Sequence, residues 1–434
     1  MPLKSGSYLK DVRNQYEEFP YPPRNPADET QRLLVSYPSS IDCINHYCFA
    51  GRKDLRQNSR ILVPGGGTGD CLIYLAEQLR GSDSELVYLD MTAASMEIAR
   101  ERARIRGLEN ITWIHDSILN IPTLDLGKFD FITCSGVLHH LEDPQAGLDA
   151  LASVLNESGS IFLMVYATYG RTAVYQMQDL MRRINVNADS PEEKVHNTKS
   201  ILNNLPSYNW FNFNKNLFLD LKSDEGIYDL LLHSQDRSYT VPELYDYVET
   251  SGLTLNTLIN LDTPLGNHVF EPATFIKDRA LLDKVSQLPF RERAAISELL
   301  FGQILKQNCF MAFKDKLPAQ FDDEMIPDFS VNFKRRLSEE KKQYLSAAGT
   351  INITELIKIS RTPNLANLFS AIDGHASIQS IVESVATSSG HSGTQQTIRQ
   401  EFKNWFKVML DTGNMYLRAP GISQFNGYDE LQNI

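Results

Sequence analysis

The sequence predicts an α/β fold built on a doubly wound, mostly parallel sheet, and three features point there. First, residues 61–70 read ILVPGGGTGD, a β-branched apolar run that passes through a glycine cluster into a helical pattern carrying Leu72, Leu75, Ala76 and Leu79. Second, further apolar runs of strand length follow, each separated from the next by a helix-period segment, the alternation that lays parallel strands side by side with helices on both faces. Third, the predicted strands end in polar residues, Asp90, Asp116 and Ser135 among them, and open sheets of this kind bind ligands at the carboxyl ends of their strands.

Each element has its own warrant. Gly65, Gly67 and Gly69, with Gly66 between them, let the chain bend sharply and let a ligand approach the backbone, while the helix that follows offers its free N–H groups. The spacing is G-x-G-x-G and not the G-x-G-x-x-G that cradles a dinucleotide pyrophosphate, which favours a nucleotide cofactor without a diphosphate. A second strand over 85–90, ELVYLD, ends about twenty residues beyond the glycines in Asp90, the offset at which a carboxylate reaches a ribose diol, and Met91 follows it. Thr92 is placed to cap a helix with Met96, Ala99 and Ala103 on one face and Gly107 near its end. A third strand over 111–115 leads to Asp116 and Ser117, where a carboxylate can accept a hydrogen bond from an adenine amino group. The fourth, 129–134, runs into SGVLHHLEDP, where Asp143 caps and Pro144 starts a helix with Leu148, Leu151 and Leu155. Gly159 is read as the stop of that helix and 161–165 as a fifth strand.

This ordered set, from about residue 60 to 167, resembles the core of the class I S-adenosylmethionine-dependent methyltransferases. The resemblance implies a seven-stranded sheet whose last strand, placed at 309–313, is antiparallel. It implies S-adenosylmethionine as cofactor, held by Gly65, Gly66, Gly67, Gly69, Asp90 and Met91, with Asp116 and Ser117 at the adenine edge. Cys134, Ser135 and Gly136 face its methionine part. The match departs at Val63, where members of the superfamily usually carry an acid, and the contact to the cofactor amino group is assigned instead to Asp70. Residues 1–59, with YEEFPYPPRNPAD and IDCINHYCFAGRKD, resemble the leader of a bacterial methyltransferase group. Its prolines preset an extended path over the cofactor site, which Tyr16, Tyr21 and Arg24 are placed to close.

The methyltransferase domain is expected over 60–316, with a lid insertion at 170–239 and an accessory domain at 335–434. The insertion carries a capping box from Ser190 to Glu193 and an aromatic run, Tyr208, Trp210, Phe211, Phe213 and Phe218, read either as an acceptor pocket or as a small satellite core. A charged run over 334–342 reads as a linker, and the polar stretch 388–394 as a mobile loop. The C-terminal pattern of helices before a terminal strand resembles a winged-helix module of the sort that holds a peptide or protein.

A formal net charge of −12 argues against nonspecific nucleic-acid or anionic-membrane binding, which rely on clustered Lys and Arg. Five cysteines without C-x-x-C spacing read as free thiols in a reducing cytosol, with no structural zinc and no metal expected. The N-terminus lacks the apolar core of a signal peptide, no segment approaches the roughly twenty apolar residues that span a bilayer, and a cytoplasmic protein is expected. His139 and His140 follow strand four where acceptor meets cofactor, and His233 lies in a second polar cluster with Asp236 and Arg237; these three histidines are the candidates for handling the acceptor's proton. Three functions compete: methyl transfer to a small-molecule or protein acceptor, a noncatalytic cofactor-binding scaffold, and aminopropyl transfer. The last is suggested by GGGTGD and weakened by Cys134-Ser135-Gly136, where an amine-binding acid is needed.

Overall fold

The computed structural model describes residues 10–215, 218–331, 333–334, 350–352, 357–360, 362–388 and 393–423. The charged run beyond Lys334 and the middle of the polar stretch 388–394 lie outside the described residues. Two helices lead the chain, α1 (Lys10–Glu18) and α2 (Ile41–Cys48). There follow β1 (Arg60–Pro64), α3 (Asp70–Gln78), β2 (Glu85–Asp90), α4 (Ala93–Arg106), β3 (Ile111–His115), β4 (Phe129–Ser135), α5 (Pro144–Ser153) and β5 (Leu155–Ala167). The five strands run parallel in the order β3-β2-β1-β4-β5. The pleat sorts their side chains: Leu62, Val87, Leu89 and Ile132 enter one apolar layer with α5, whereas Ile61, Val63, Leu86 and Tyr88 enter the other with α2, α3 and α4. Most of these are fully buried, and each is worth roughly 1.5–3 kcal/mol of transfer free energy.

Two local expectations change. Gly159 does not stop a helix: α5 already ends at Ser153, and Gly159 lies inside β5, where the register with β4 shifts and a Cβ would press to 3.0 Å on the Asp130 carbonyl oxygen. Thr92 sits at the N-cap of α4 but does not cap it with its side chain. Its hydroxyl donates to Asp90, and the Glu17 carboxylate of α1 accepts from the Ala93 and Ala94 N–H groups at 3.1 and 3.0 Å.

The inserted segment supplies α6 (Thr172–Ile184), α7 (Pro191–Asn204), α8 (Trp210–Asn214) and α9 (Asp224–Leu231) before a short β6 (Ser238–Tyr239) joins the edge of β5. Phe211 and Phe218 stack at 5.4 Å in a cluster with Val174, Met177 and Leu230, while Tyr208, Trp210 and Phe213 are exposed. The aromatic run is therefore a satellite core with three outward rings. After α10 (Val241–Thr250), which a Thr240–Glu243 capping box opens, come β7 (Thr254–Ile259), α11 (Arg279–Ser286), α12 (Phe290–Phe301) and β8 (Lys306–Ala312). The last of these is antiparallel to both β5 and β7 and lies between them.

The C-terminal part contains β9 (Ile326–Phe329), the pair β10 (Thr350–Asn352) and β11 (Lys358–Ser360), α13 (Pro363–Ala371), α14 (Ile378–Thr387), α15 (Gln395–Asp411) and β12 (Met415–Arg418). Because β9 pairs with β12 and Met325, Phe329 and Phe333 share their apolar cluster with Leu368, Phe402 and Trp405, this unit begins upstream of residue 335. It is docked on the leader. The Leu417 N–H donates to His46 Nδ1 at 3.1 Å, the Ala319 N–H to the His46 carbonyl at 2.8 Å, and the Ala419 N–H to the Gly51 carbonyl at 2.7 Å. All five cysteines are unpaired. Among the described residues no helix is long and apolar enough to cross a membrane.

Candidate active site

At the carboxyl ends of β1 and β2 the glycine loop is held from several sides. The Gly67 N–H donates to Asp90 Oδ2 at 2.8 Å, and the Tyr88 hydroxyl donates to the Gly67 carbonyl at 2.6 Å. Gly67 and Gly69 adopt φ of +51° and +97°, the left-handed region where a Cβ is costly, and a Cβ on Gly69 would press against Ala99 of α4. A Cβ on Gly67 would meet the Tyr21 carbonyl oxygen at 2.9 Å, so the leader passes directly over the loop. Asp90 is buried and also accepts from the Thr92 N–H and hydroxyl, and its burial raises its carboxyl above the usual range. Asp116 uses one oxygen to accept from the Ser117 N–H and from Asn120 Nδ2, both at 2.7 Å; those bonds leave its second oxygen for a donor. Cys134 turns its thiol into the core, so only its backbone faces this cleft; Ser135 is exposed, and Gly136 follows at φ +76°.

Asp70 does not serve as expected. Its two oxygens accept from Arg24 Nε and one terminal nitrogen at 2.8 and 2.6 Å, and from Arg102 at 2.7 Å, so its charge is already met by two guanidinium groups. It belongs to a buried charge network that binds the leader to α3 and α4. Glu29 accepts from Arg102 Nε at 2.7 Å and from Arg106, and Arg106 also donates to Glu77 at 2.9 Å. The signal for this was present in the sequence: Arg102 and Arg106 stand four apart on α4, beside Ala99 and Ala103 on the buried face.

A second polar cluster lies at the ends of β4 and β5. His139 and His140 occupy the 3-10 turn after Gly136, Tyr166 lies near the end of β5, and Arg171 precedes α6. Tyr16 and Tyr21 come from the leader, and Asp220, Asp229, His233 and Asp236 from the insertion. The Tyr16 hydroxyl donates to Asp229 at 2.8 Å and lies 3.2 Å from His233 Nε2; the Tyr21 hydroxyl donates to Asp220. The His140 and His233 rings stack at 3.9 Å, and the Arg171 guanidinium lies 3.5 Å from the centre of the Tyr166 ring with Asp236 at 3.6 Å. Burial first, then the nearby Asp220 and Asp236 charges, push the Asp229 carboxyl up to about 6 despite the Tyr16 hydrogen bond. Burial lowers His140 to about 4, so its ring is neutral at working pH.

Comparison with known proteins decides the family. A methyltransferase-domain family profile matches residues 62–161, the stretch from β1 into β5. An uncharacterized protein of Synechococcus, syc1184_c, is 30% identical over 324 residues, covering 73% of this chain and 74% of that one. The chain belongs to the class I S-adenosylmethionine-dependent methyltransferases. The ubiquinone/menaquinone biosynthesis C-methyltransferase UbiE of Pectobacterium carotovorum is 28% identical over 26% of this chain, and the tRNA 5-carboxymethoxyuridine methyltransferase of Escherichia coli 31% over the same share. The match spans 45% and 42% of those two enzymes, less than half of either. The structure of PKMT2 from Rickettsia typhi in complex with AdoHcy superposes with a TM-score of 0.63 at 14% identity, covering 89% of this chain and 76% of that one, which is a likeness of fold.

The methyltransferase cofactor is S-adenosylmethionine, and the cleft suits its adenosyl part: the loop bends through Gly65, Gly67 and Gly69 at positive φ, and Asp90 and Asp116 stand at adjacent strand ends. We assign Asp90 to the ribose and the free oxygen of Asp116 to the adenine amino group. Asp90→Ala is expected to weaken S-adenosylmethionine binding by about 1–3 kcal/mol in calorimetry, through lost charge-assisted hydrogen bonds and a loosened Gly67. Unchanged affinity would remove the ribose assignment. Val63, at the customary acidic position, is 2% exposed and packs in the apolar layer with Leu72 and Phe131.

In the methyltransferase the three candidate histidines separate. His139 is fully buried 3.9 Å from the Tyr166 ring centre, and among the described residues neither of its nitrogens has a hydrogen-bond partner, so it fills space and is withdrawn as a proton carrier. The backbone of Gln235 sets the other two in opposite tautomers. His140 Nδ1 lies 2.9 Å from the Gln235 carbonyl and must donate, which leaves the lone pair on Nε2. His233 Nδ1 accepts from the Gln235 N–H at 3.0 Å, so its hydrogen sits on Nε2 and is donated to the Tyr16 oxygen. His140, Asp229 and His233 bring potential ligand atoms within 4.8 Å of one another, but with Nδ1 filled and Nε2 protonated His233 offers a metal no lone pair. Arg237 is exposed and takes no part; Asp236 pairs with Arg171 in its place.

Proposed function

We propose that this methyltransferase methylates the nitrogen of a cationic amine. The observation that carries the reading is charge: Asp229 is buried within the field of Asp220 and Asp236, Asp236 pairs with Arg171, and the other walls of the site are tyrosines and neutral imidazoles. Buried charge seeks a partner, and an ammonium group balances this excess while the ring of Tyr16 favours a cation beside it. When bound, S-adenosylmethionine supplies an electrophilic methyl group, whose bond to sulfur breaks as the new nitrogen–carbon bond forms. The ammonium must first lose a proton to expose its lone pair. Asp229, its carboxyl raised to about 6, is a stronger base than His140 and receives it, while His140 Nε2, whose lone pair the Gln235 carbonyl leaves open, accepts a hydrogen bond from the amine. Tyr16, fixed between His233 and Asp229, orients the nitrogen, and the leader excludes water from above.

The test is to incubate the full chain with methyl-labelled S-adenosylmethionine and, separately, a lysine peptide, n-butylamine, a phenol and an alkyl thiol. Label is expected on the amines, and kcat/KM is expected to fall as the pH drops through about 6, where protonation of Asp229 removes the charge that holds the ammonium. Label on the phenol or thiol alone would overturn the reading.

A further inference from the structure

The helix that follows the ribose acid does not cap itself. Thr92 stands at the N-cap of α4, where a hydroxyl ordinarily accepts from a free N–H of the first turn, but its side chain is engaged with Asp90. The hydroxyl donates to Asp90 Oδ1 at 2.8 Å, and the N–H of the same residue donates to that oxygen at 2.9 Å. The N–H groups of Ala93 and Ala94 are met instead by the carboxylate of Glu17, one oxygen to each. A cap carried by another helix holds only while that helix stays in place. Of the nine residues of α1 the buried ones are Val12 and Gln15, so little apolar area fixes it and its polar contacts decide where it sits.

The residue beside Glu17 is Tyr16, whose hydroxyl donates to Asp229 in the acceptor site at 2.8 Å. Neighbouring side chains of one helix therefore reach the ribose end and the acceptor end of the reaction. We propose that Glu17 is a positioning residue for the cofactor, and that through Glu17 and Tyr16 the docking of α1 couples the two sites. With Glu17 in place, Thr92 is free to hold Asp90 toward the ribose. Without it, the bare N–H groups draw the Thr92 hydroxyl back to cap its own helix, and Asp90 loses one of its holders. On the other side, a docked α1 places the Tyr16 ring beside whatever Asp229 binds. Both ligands thus favour the same state of one element, so each strengthens the binding of the other, and by the same factor. The coupling deepens the amine reading and rests on it for the nature of the second ligand.

The test is calorimetry on the full chain with S-adenosylhomocysteine, which has no methyl group to transfer, alone and in excess n-butylamine. In the wild type the amine is expected to lower the Kd about fivefold, the small end of such couplings. Glu17→Ala is expected to raise the Kd about fivefold without amine and to abolish the effect of the amine. Glu17→Gln keeps an oxygen for one N–H and should fall between. Tyr16→Phe, which touches the acceptor acid and not the cofactor, should also weaken S-adenosylhomocysteine, and the double variant Tyr16→Phe/Glu17→Ala should bind it no worse than Glu17→Ala alone, because both act through α1. Unchanged affinity in Glu17→Ala, or losses that simply add in the double variant, would overturn the coupling. Non-additive losses with no effect of butylamine on the wild type would uphold the coupling and reject the amine as acceptor.

Discussion

Asp229→Asn is expected to lower kcat/KM for a cationic amine about a hundredfold while leaving S-adenosylmethionine affinity unchanged. The substitution keeps the shape and an oxygen for the Tyr16 hydroxyl but removes a buried charge within the field of two other carboxylates. Removing one partner of a desolvated charge pair costs about 2–5 kcal/mol, of which the lower half corresponds to that rate loss. The fold should not suffer. A carboxyl raised to about 6 in the folded chain binds its proton more tightly than the unfolded chain does, so this group contributes stability at low pH that is lost as the pH rises through about 6. At neutral pH the amide is therefore expected to melt no lower than wild type. Steady-state kinetics alongside calorimetry and a thermal melt decide the point, and turnover within twofold of wild type would mean that the acidic cluster does not recognise the acceptor.

Glu29→Gln is expected to be the most destabilising of the single changes considered. Glu29 is 7% exposed and is the shared anion for Arg102 and Arg106, themselves 1% and 7% exposed, so the change takes one negative charge from two buried arginines and leaves them only Asp70 and Glu77. Breaking a buried pair from one side costs about 3–5 kcal/mol, which lowers the melting temperature on the order of 10 °C in a domain of this size. The same network ties the leader across the glycine loop through Arg24, Asp70 and Arg102, and the Thr68 hydroxyl donates to the Pro22 carbonyl at 2.7 Å. Cofactor release should therefore quicken as well. A melt unchanged to within a degree or two would show that the network contributes little, as happens when ion pairs are solvated.

The contrast between cofactor cleft and acceptor site shows what sequence can carry. The first is local: Gly65 to Asp70 and the acid at the end of the next strand are fixed by period, spacing and turn chemistry within some thirty residues, and they fold as the pattern says. The second is assembled from far-apart segments. Tyr16 meets Asp229 across 213 positions and His140 meets Gln235 across 95, so no window of sequence contains the site. His140 and His233 could be picked out by residue type and by their place after a strand or in the insertion, but nothing local separates His140 from His139, because the difference is which ring reaches the Gln235 backbone. Asp70 differs in part: its acidity, its place at a helix start and the buried arginines of α4 were legible, but not that Arg24 of the leader, 46 residues away, would close on it. The aromatic run divided by burial, with Phe211 and Phe218 inside and Tyr208, Trp210 and Phe213 outside, because a short helix and its flanking turns show different sides to the core.

The docking of β12 on α2 has a consequence for the molecule as a whole. The segment that delivers Tyr16 and Tyr21 is flanked by α2, and α2 is gripped through His46 and Gly51 by a strand that ends only sixteen residues from the last of the 434. The leader and the C-terminal unit are thereby latched together, so a change that loosens β12 is passed through α2 to the segment that carries Tyr16 and Tyr21.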